Sequence, residues 1–160
     1  MDIPQGVKVS IEGQKVTFSG PKGTVEKVFL HPSVKIELKD GKILVAADKK
    51  MQKTVETHLS NMAKGVTEGY TKKLKAIYAH FPISVEIKGK EILIKNFMGE
   101  KQPRKARIVG STKVEAKGQE LTVFGPSKED VGQTIANLKA ATKIRDRDSR
   151  IFQDGFYVVE

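Results

Sequence analysis

Apolar and polar residues alternate from Val9 to Phe18: Val9, Ile11, Val16 and Phe18 are apolar, and Ser10, Glu12, Lys15 and Thr17 are polar, with Gly13 at the centre. The alternation returns 76 positions later, from Val85 to Ile94 around Gly89. A period of two marks a half-buried strand, because successive side chains leave opposite faces. A central glycine supplies the positive φ of a tight turn. Each segment is therefore predicted to be a β-hairpin. A second hairpin follows in each half. Val34–Lys39 turns through Asp40-Gly41 into Lys42–Val45, and Lys113–Ala116 turns through Lys117-Gly118 into Glu120–Val123. The turn glycines are 28 positions apart in the first half and 29 in the second, which indicates duplication of a whole domain.

The period then changes. Met51, Val55, Leu59, Met62 and Val66 recur at steps of three and four, as do Val131, Ile135, Leu138 and Ala141. Each set makes one apolar stripe of an amphipathic helix. Asp48 is the candidate N-cap of the first helix; Ser127 with Asp130, after Pro126, resembles a weak capping box for the second. Between the halves, Tyr70–Tyr78 reads as a further strand returning to the first sheet, and Phe81-Pro82 opens the second half. The boundary is placed near His80. The expected fold class is α+β: two duplicated domains, 1–80 and 81–160, each a small, mostly antiparallel sheet packed on one amphipathic helix.

Composition sharpens this picture. A half-chain of about 80 residues buries only roughly 60–65 % of its unfolded surface. Each half is thus expected to gain from packing on the other or on a partner. With 38 % hydrophobic and 30 % charged residues the chain reads as foldable and not as disordered. No apolar run approaches the ~20 residues of a membrane span, and no secretory signal is visible at Met1-Asp2-Ile3-Pro4. The absence of cysteine excludes disulfides, thiolate catalysis and cysteine-ligated zinc, and is compatible with a reducing cytosol. The net charge is +10 and the pI about 9.7, which favours a polyanionic partner, nucleic acid or anionic membrane. A membrane partner calls for a basic amphipathic helix or a lipidation signal; neither is evident, so nucleic acid is preferred.

No enzymatic constellation is found. His31, His58 and His80 share no metal-ligand spacing. Asp146 and Asp148 flank Arg147 among other basic residues, so local ion pairing explains them better than acid–base chemistry. No serine lies in a nucleophile elbow. Gly20-Pro21-Lys22-Gly23-Thr24 lacks P-loop spacing and a following helix, and reads as a turn between strands. No catalytic residue, cofactor or metal is expected.

The basic residues carry the stronger signal because two runs in the second half are dense in them. From Lys95 to Lys113 there are six, Lys95, Lys101, Arg104, Lys105, Arg107 and Lys113, against one acid. Gly99 and Pro103 break regular structure, so an exposed loop is expected, with Asn96 and Gln102 as neutral polar groups. Such a loop suits phosphates and 2′-hydroxyls of folded RNA. The second cluster, Lys139–Arg150, holds five basic residues, including Lys143, Arg145, Arg147 and Arg150, against two acids. Cations complement a helix C-terminus, but one or two suffice for that; surplus arginines suit phosphate forks. The tail, Ile151–Glu160, has three aromatic residues and reads as a docking strand more than as a base-stacking platform.

At this point a family resemblance stands out. Ile3-Pro4-Gln5-Gly6-Val7, Gly20-Pro21-Lys22-Gly23 and Gly65-Val66-Thr67-Glu68-Gly69-Tyr70 resemble the family of the sixth large-subunit ribosomal protein. Asn96-Phe97-Met98-Gly99-Glu100-Lys101 and Arg150-Ile151-Phe152-Gln153-Asp154-Gly155-Phe156-Tyr157-Val158 are similar to its archaeal and eukaryotic branch. The resemblance covers essentially the whole chain, and the tail motif is its most specific part. It implies a non-enzymatic constituent of the cytoplasmic ribosome built from two duplicated α+β domains. It further implies that the C-terminal domain binds large-subunit rRNA near the factor-binding region, close to the sarcin–ricin loop and stalk base. Neighbouring ribosomal proteins are the implied protein partners, with translation factors nearby and no homo-oligomer. The residues alone leave a non-ribosomal RNA-binding or adaptor module as the alternative.

Overall fold

A computed structural model describes residues 4–39, 42–145, 147–148 and 150–159. The Asp40-Gly41 turn and Asp146 lie outside the described residues. Contacts divide the chain into two compact units. One comprises residues up to Tyr70 together with Pro126–Lys128; the other comprises Thr71–Gly125 and the residues from Glu129 onward.

The first unit opens with three strands, β1 (Lys8–Glu12), β2 (Lys15–Gly20) and β3 (Gly23–Val28), paired antiparallel in the order β1-β2-β3. Val16 pairs with Ile11 across the β1–β2 hairpin, and Gly13 takes φ 62° in its turn, as the alternation predicts. The hairpin β4 (Lys35–Lys39) and β5 (Lys42–Ala46) follows, then helix α1 (Lys49–Thr67). Asp48 occupies the N-cap position with extended backbone, but its side chain makes no cap bond; its carbonyl accepts from Gln52 N–H at 2.8 Å. The helical stripe is buried at Val55, Leu59, Met62 and Val66, against Val16 and Phe18 of β2 and Ile36 and Ile43 of the hairpin. Truncating a fully buried Leu59 or Phe18 to alanine costs about 2–5 kcal/mol on the general scale for core residues. Gly20 ends β2 where a Cβ would lie 2.7 Å from the Val66 carbonyl, the same oxygen that accepts from Lys22 N–H. Only glycine lets the β2–β3 turn come this near the end of α1.

The second unit repeats the order. Strands β7 (Ser84–Lys88), β8 (Glu91–Lys95) and β9 (Arg104–Arg107) form an antiparallel sheet in the order β7-β8-β9. The hairpin β10 (Lys113–Lys117) and β11 (Glu120–Gly125) leads to helix α2 (Lys128–Ala141). Val131, Ile135 and Leu138 of α2 are buried as predicted, whereas Ala141 is half-buried. Thr134 completes the buried face, and its hydroxyl accepts from Val109 N–H at 3.1 Å.

One expectation is corrected. Tyr70–Ile77 is a strand, β6, but it does not return to the first sheet. It lies between β11 and β12 (Gly155–Val158), in a sheet of order β10-β11-β6-β12. Both of its edges find ladder partners there: Ala76 N–H donates to the Gln119 carbonyl at 2.8 Å, and Leu74 to Ile77 pair antiparallel with Val158 to Gly155. A strand with lysines on one face and buried Leu74 and Ala76 on the other satisfies its backbone best where partners lie on either side. The tail docks as expected, with Phe156 buried.

Candidate nucleic-acid interface

The basic run expected as an exposed loop is in part a strand: Arg104–Arg107 is β9, paired with β8 because Ala106 has a core to enter, and the parity of its sequence, Arg-Lys-Ala-Arg, sorts the cations. Ala106 is buried, so Arg104, two residues away, leaves the strand on the same, inward side. Lys105 and Arg107 project from the opposite face and are exposed. They stand opposite Leu93 and Glu91 of β8.

Arg104 is committed inside the unit. Its Nε and Nη2 donate to Glu100 Oε2 and Oε1 at 2.8 and 2.6 Å, a bidentate fork. Its Nη1 donates to the carbonyls of Ala141, at 2.9 Å, and Lys143, at 3.3 Å. The guanidinium lies 4.4 Å above the ring of Phe97, which is fully buried. The Arg104 hydrogen bonds hold the Glu100 carboxyl below its usual pKa, and the same pairing raises that of Arg104. Arg104 thus satisfies carbonyls at the end of α2, which carry the negative pole of the helix dipole.

The loop that carries Glu100 is shaped by a 3₁₀ turn at Phe97–Gly99. Asn96 and Met98 both adopt left-handed backbone, φ 57° and 53°. For a residue with a Cβ this costs roughly 1–2 kcal/mol, so such a loop keeps its shape only where its surroundings over-determine it. Here Phe97 is buried, Asn96 Nδ2 donates to the Pro82 carbonyl at 3.1 Å, and Glu100 is held by Arg104. Asn137 of α2 adds a bond to the Arg107 carbonyl at 2.9 Å.

The other cations fall into two groups. Lys95 is paired with Glu86 at 2.7 Å, and Arg150 with Asp148 at 3.2 Å. The Asp148 carboxyl is held low chiefly by the Arg150 backbone N–H. Arg147 lies 4.8 Å over the ring of Phe152. By contrast Lys101, Lys105, Arg107, Lys113, Lys143 and Arg145 are exposed, and among the described residues no carboxylate lies within ion-pair distance of them. Arg104, Lys143 and Arg145 line one cleft of about 440 Å³ with Ala140 and Ala141. The sequence pattern assigned neither Glu100 nor Phe97 a role at the site, where they stand only as the lone acid of the loop and as members of a family motif, and it did not single out Asn137.

Elsewhere the polar groups are occupied in structural ways. His31 Nδ1 lies 2.7 Å from Ser33 Oγ, and His58 Nδ1 lies 3.2 Å from Lys27 Nζ. Among the described residues no three metal-binding side chains cluster, and no helix is long and apolar enough to cross a membrane.

The fold is one α+β domain present twice in the chain, with two basic runs on the second copy. The family model for ribosomal protein L6 matches residues 3–69 and again 81–155. The large ribosomal subunit protein uL6 of Methanosarcina mazei is 48 % identical over 166 aligned positions, covering 100 % of this chain and 94 % of that protein. The protein of the same name from Methanobrevibacter smithii is 45 % identical, covering 99 % of this chain and 93 % of that protein. That of Natronomonas pharaonis is 42 % identical, covering 100 % and 94 %. The chain belongs to the ribosomal protein L6 family.

Proposed function

We propose that this protein is a non-enzymatic constituent of the large ribosomal subunit and that residues 81–160 form its main rRNA-binding domain. Its relatives carry the name of a large-subunit protein. The observation that carries the RNA reading is that six of the cations in the two basic runs, Lys101, Lys105, Arg107, Lys113, Lys143 and Arg145, are exposed without carboxylate partners among the described residues. They contact phosphate directly, and Arg147 joins them through its free guanidinium edge. Lys95, Asn96, Arg104 and Arg150 shape the surface around them. Recognition is by RNA shape, with side chains on phosphates and 2′-hydroxyls. The seat is near the factor-binding region, by the sarcin–ricin loop and stalk base, which places translation factors nearby. Residues 1–80 pack against neighbouring ribosomal proteins; Leu30, 85 % exposed, is an apolar side chain such a contact would cover.

The test is binding of the full chain to protein-free large-subunit rRNA over a range of salt. About six neutralised phosphates give a log–log slope of roughly −4 to −5. Lys105→Glu with Arg107→Glu is expected to weaken binding at least about tenfold and to flatten the slope by roughly 2. Lys35→Glu with Lys39→Glu in the first unit changes affinity less than about twofold. Equal losses from the two double variants would remove the site assignment. Cross-linking within intact subunits tests the seat.

A further inference from the structure

We infer that Glu100 and Arg104 are a positioning pair that joins two basic segments into one phosphate-binding cleft, so that an acidic side chain is required for binding a polyanion. This rests on the reading of residues 81–160 as the rRNA-binding half and adds to it a mechanism of preorganisation.

Four donor contacts of Arg104 are spent inward, two on Glu100 and two on the carbonyls of Ala141 and Lys143, 37 and 39 residues further along the chain. A guanidinium is suited to this because its planar fork matches a carboxylate on one edge and still presents donors on the other. One side chain thereby links the loop that leads to Lys101 with the segment that carries Lys143 and Arg145. The cleft at this junction is walled by cations from both segments, Arg104 on one side and Lys143 and Arg145 on the other. Without Arg104 the carbonyls at the end of α2 would turn a partial negative charge toward any anion entering it. Glu100 holds the guanidinium in place to cover them. The loop's left-handed Asn96 and Met98 show that its shape depends on such ties.

Simple electrostatics predicts the opposite of this proposal. Glu100→Gln raises the net charge by one and releases an arginine, so charge alone would strengthen RNA binding. As a positioning pair, Glu100→Gln weakens binding to protein-free large-subunit rRNA by about tenfold, because loop and helix end must be ordered on association. The slope against salt changes by less than roughly 0.5, since no phosphate contact has been deleted. Lys105→Gln serves as the contact control and lowers the slope by nearly 1. Arg104→Lys keeps the charge but not the fork, and is expected to behave as Glu100→Gln does. The double variant is no weaker than either single one, because both break the same tie. All are compared at a temperature where circular dichroism shows each variant folded. A Glu100→Gln protein that binds rRNA as tightly as the parent, or more tightly, overturns the inference. Amide hydrogen exchange tests the clamp without RNA: Glu100→Gln should raise exchange in residues 100–105 and 141–145 together, and a change confined to the first segment also overturns it. Loss of salt-dependent binding by the unaltered protein would instead strike the rRNA reading itself.

Discussion

The two halves of the chain share a strand register, and the contrasts that bear on charge lie in one connection and three side chains of their three-stranded sheets. β2 passes to β3 through Pro21 and Lys22 alone, with Gly20 paired to Gly23. β8 passes to β9 through residues 96–103, with Ile94 paired to Arg104. Phe18 and Ile94 are equivalent by the 76-residue repeat, so the partner of Phe18, Val25, occupies the place of Arg104. Val25 packs against the first core; Arg104 reaches from the same inward side to Glu100 and α2. Likewise Glu26 stands where Lys105 stands, opposite Thr17 and Leu93. Glu26 neutralises Lys15 at 2.7 Å. The equivalent positions in the second unit carry reversed charges, Glu91 and Lys105, and no ion pair joins them among the described residues. A common scaffold thus holds one copy electrically closed along this strand and leaves the other open.

The largest test of this comparison strikes the platform beneath Arg104. Phe97 is fully buried and lies under the guanidinium. Phe97→Ala is expected to destabilise the second unit by about 3–5 kcal/mol. Phe18→Ala, in the first unit, should cost a similar amount on the same scale. The two are told apart by rRNA binding in the folded population. Phe97→Ala loses affinity there, and Phe18→Ala keeps it. Chemical denaturation paired with binding measurements checks both, and equal affinity losses would erase the distinction between the halves.

How much of this was written in the sequence depends on the range of the forces involved. The strands of all four hairpins and both helical stripes are local patterns, and they fold as the periods of two and 3.6 require. The α2 face lacked Thr134, because a buried threonine is legible only when its partner, Val109 N–H, is known. The partners of β6 were not legible: alternation shows that Leu74 and Ala76 turn inward, not which sheet lies beside them. Arg104 is the instructive case. Composition groups it with Lys105 and Arg107 as one basic run. Parity separates it, since Ala106 is the single apolar residue of β9 and fixes which side faces the core. That signal was present in four letters. The carbonyls of Ala141 and Lys143 as its acceptors were not, because nothing local announces a contact across 37 residues.

The next test exchanges the charges at the equivalent strand positions. Lys105→Glu gives β9 the acid of β3, and Glu26→Lys gives β3 the base of β9. Lys105→Glu is expected to lower rRNA affinity by about five- to tenfold and to reduce the salt slope by roughly 1. Glu26→Lys leaves affinity within about twofold, because β3 lacks the second basic cluster that β9 lies beside. Loss of its ion pair with Lys15 matters little to folding, as both side chains stand in water. A gain in affinity from Glu26→Lys equal to the loss from Lys105→Glu would show that net charge, and not its placement, governs binding.

The smallest expected effect is a dependence on acid, and it isolates the clamp from the rest of the fold. Hydrogen bonds from Arg104 hold the folded-state pKa of Glu100 below its ordinary value. A carboxyl whose folded pKa is depressed contributes stability that is fully present above its unfolded pKa, near 4.3. That contribution fades as the pH falls toward and through the lower, folded value. The parent protein is therefore expected to be more stable than Glu100→Gln at pH 7, with the gap closing below about pH 4.3 as Glu100 takes up its proton. The gap is modest because 39 % of the Glu100 side chain is exposed, and water screens the pair. Glu86, also held low by its lysine partner but bonded apart from the clamp, is the comparison: by the same linkage Glu86→Gln also loses a pH-dependent part of the stability, but it keeps the parent's rRNA affinity, which Glu100→Gln does not. Denaturant midpoints for the three proteins between pH 3 and 7 decide the matter. A parent advantage over Glu100→Gln that persists unchanged to pH 3 would mean that Glu100 is not the group whose ionisation holds Arg104 in place.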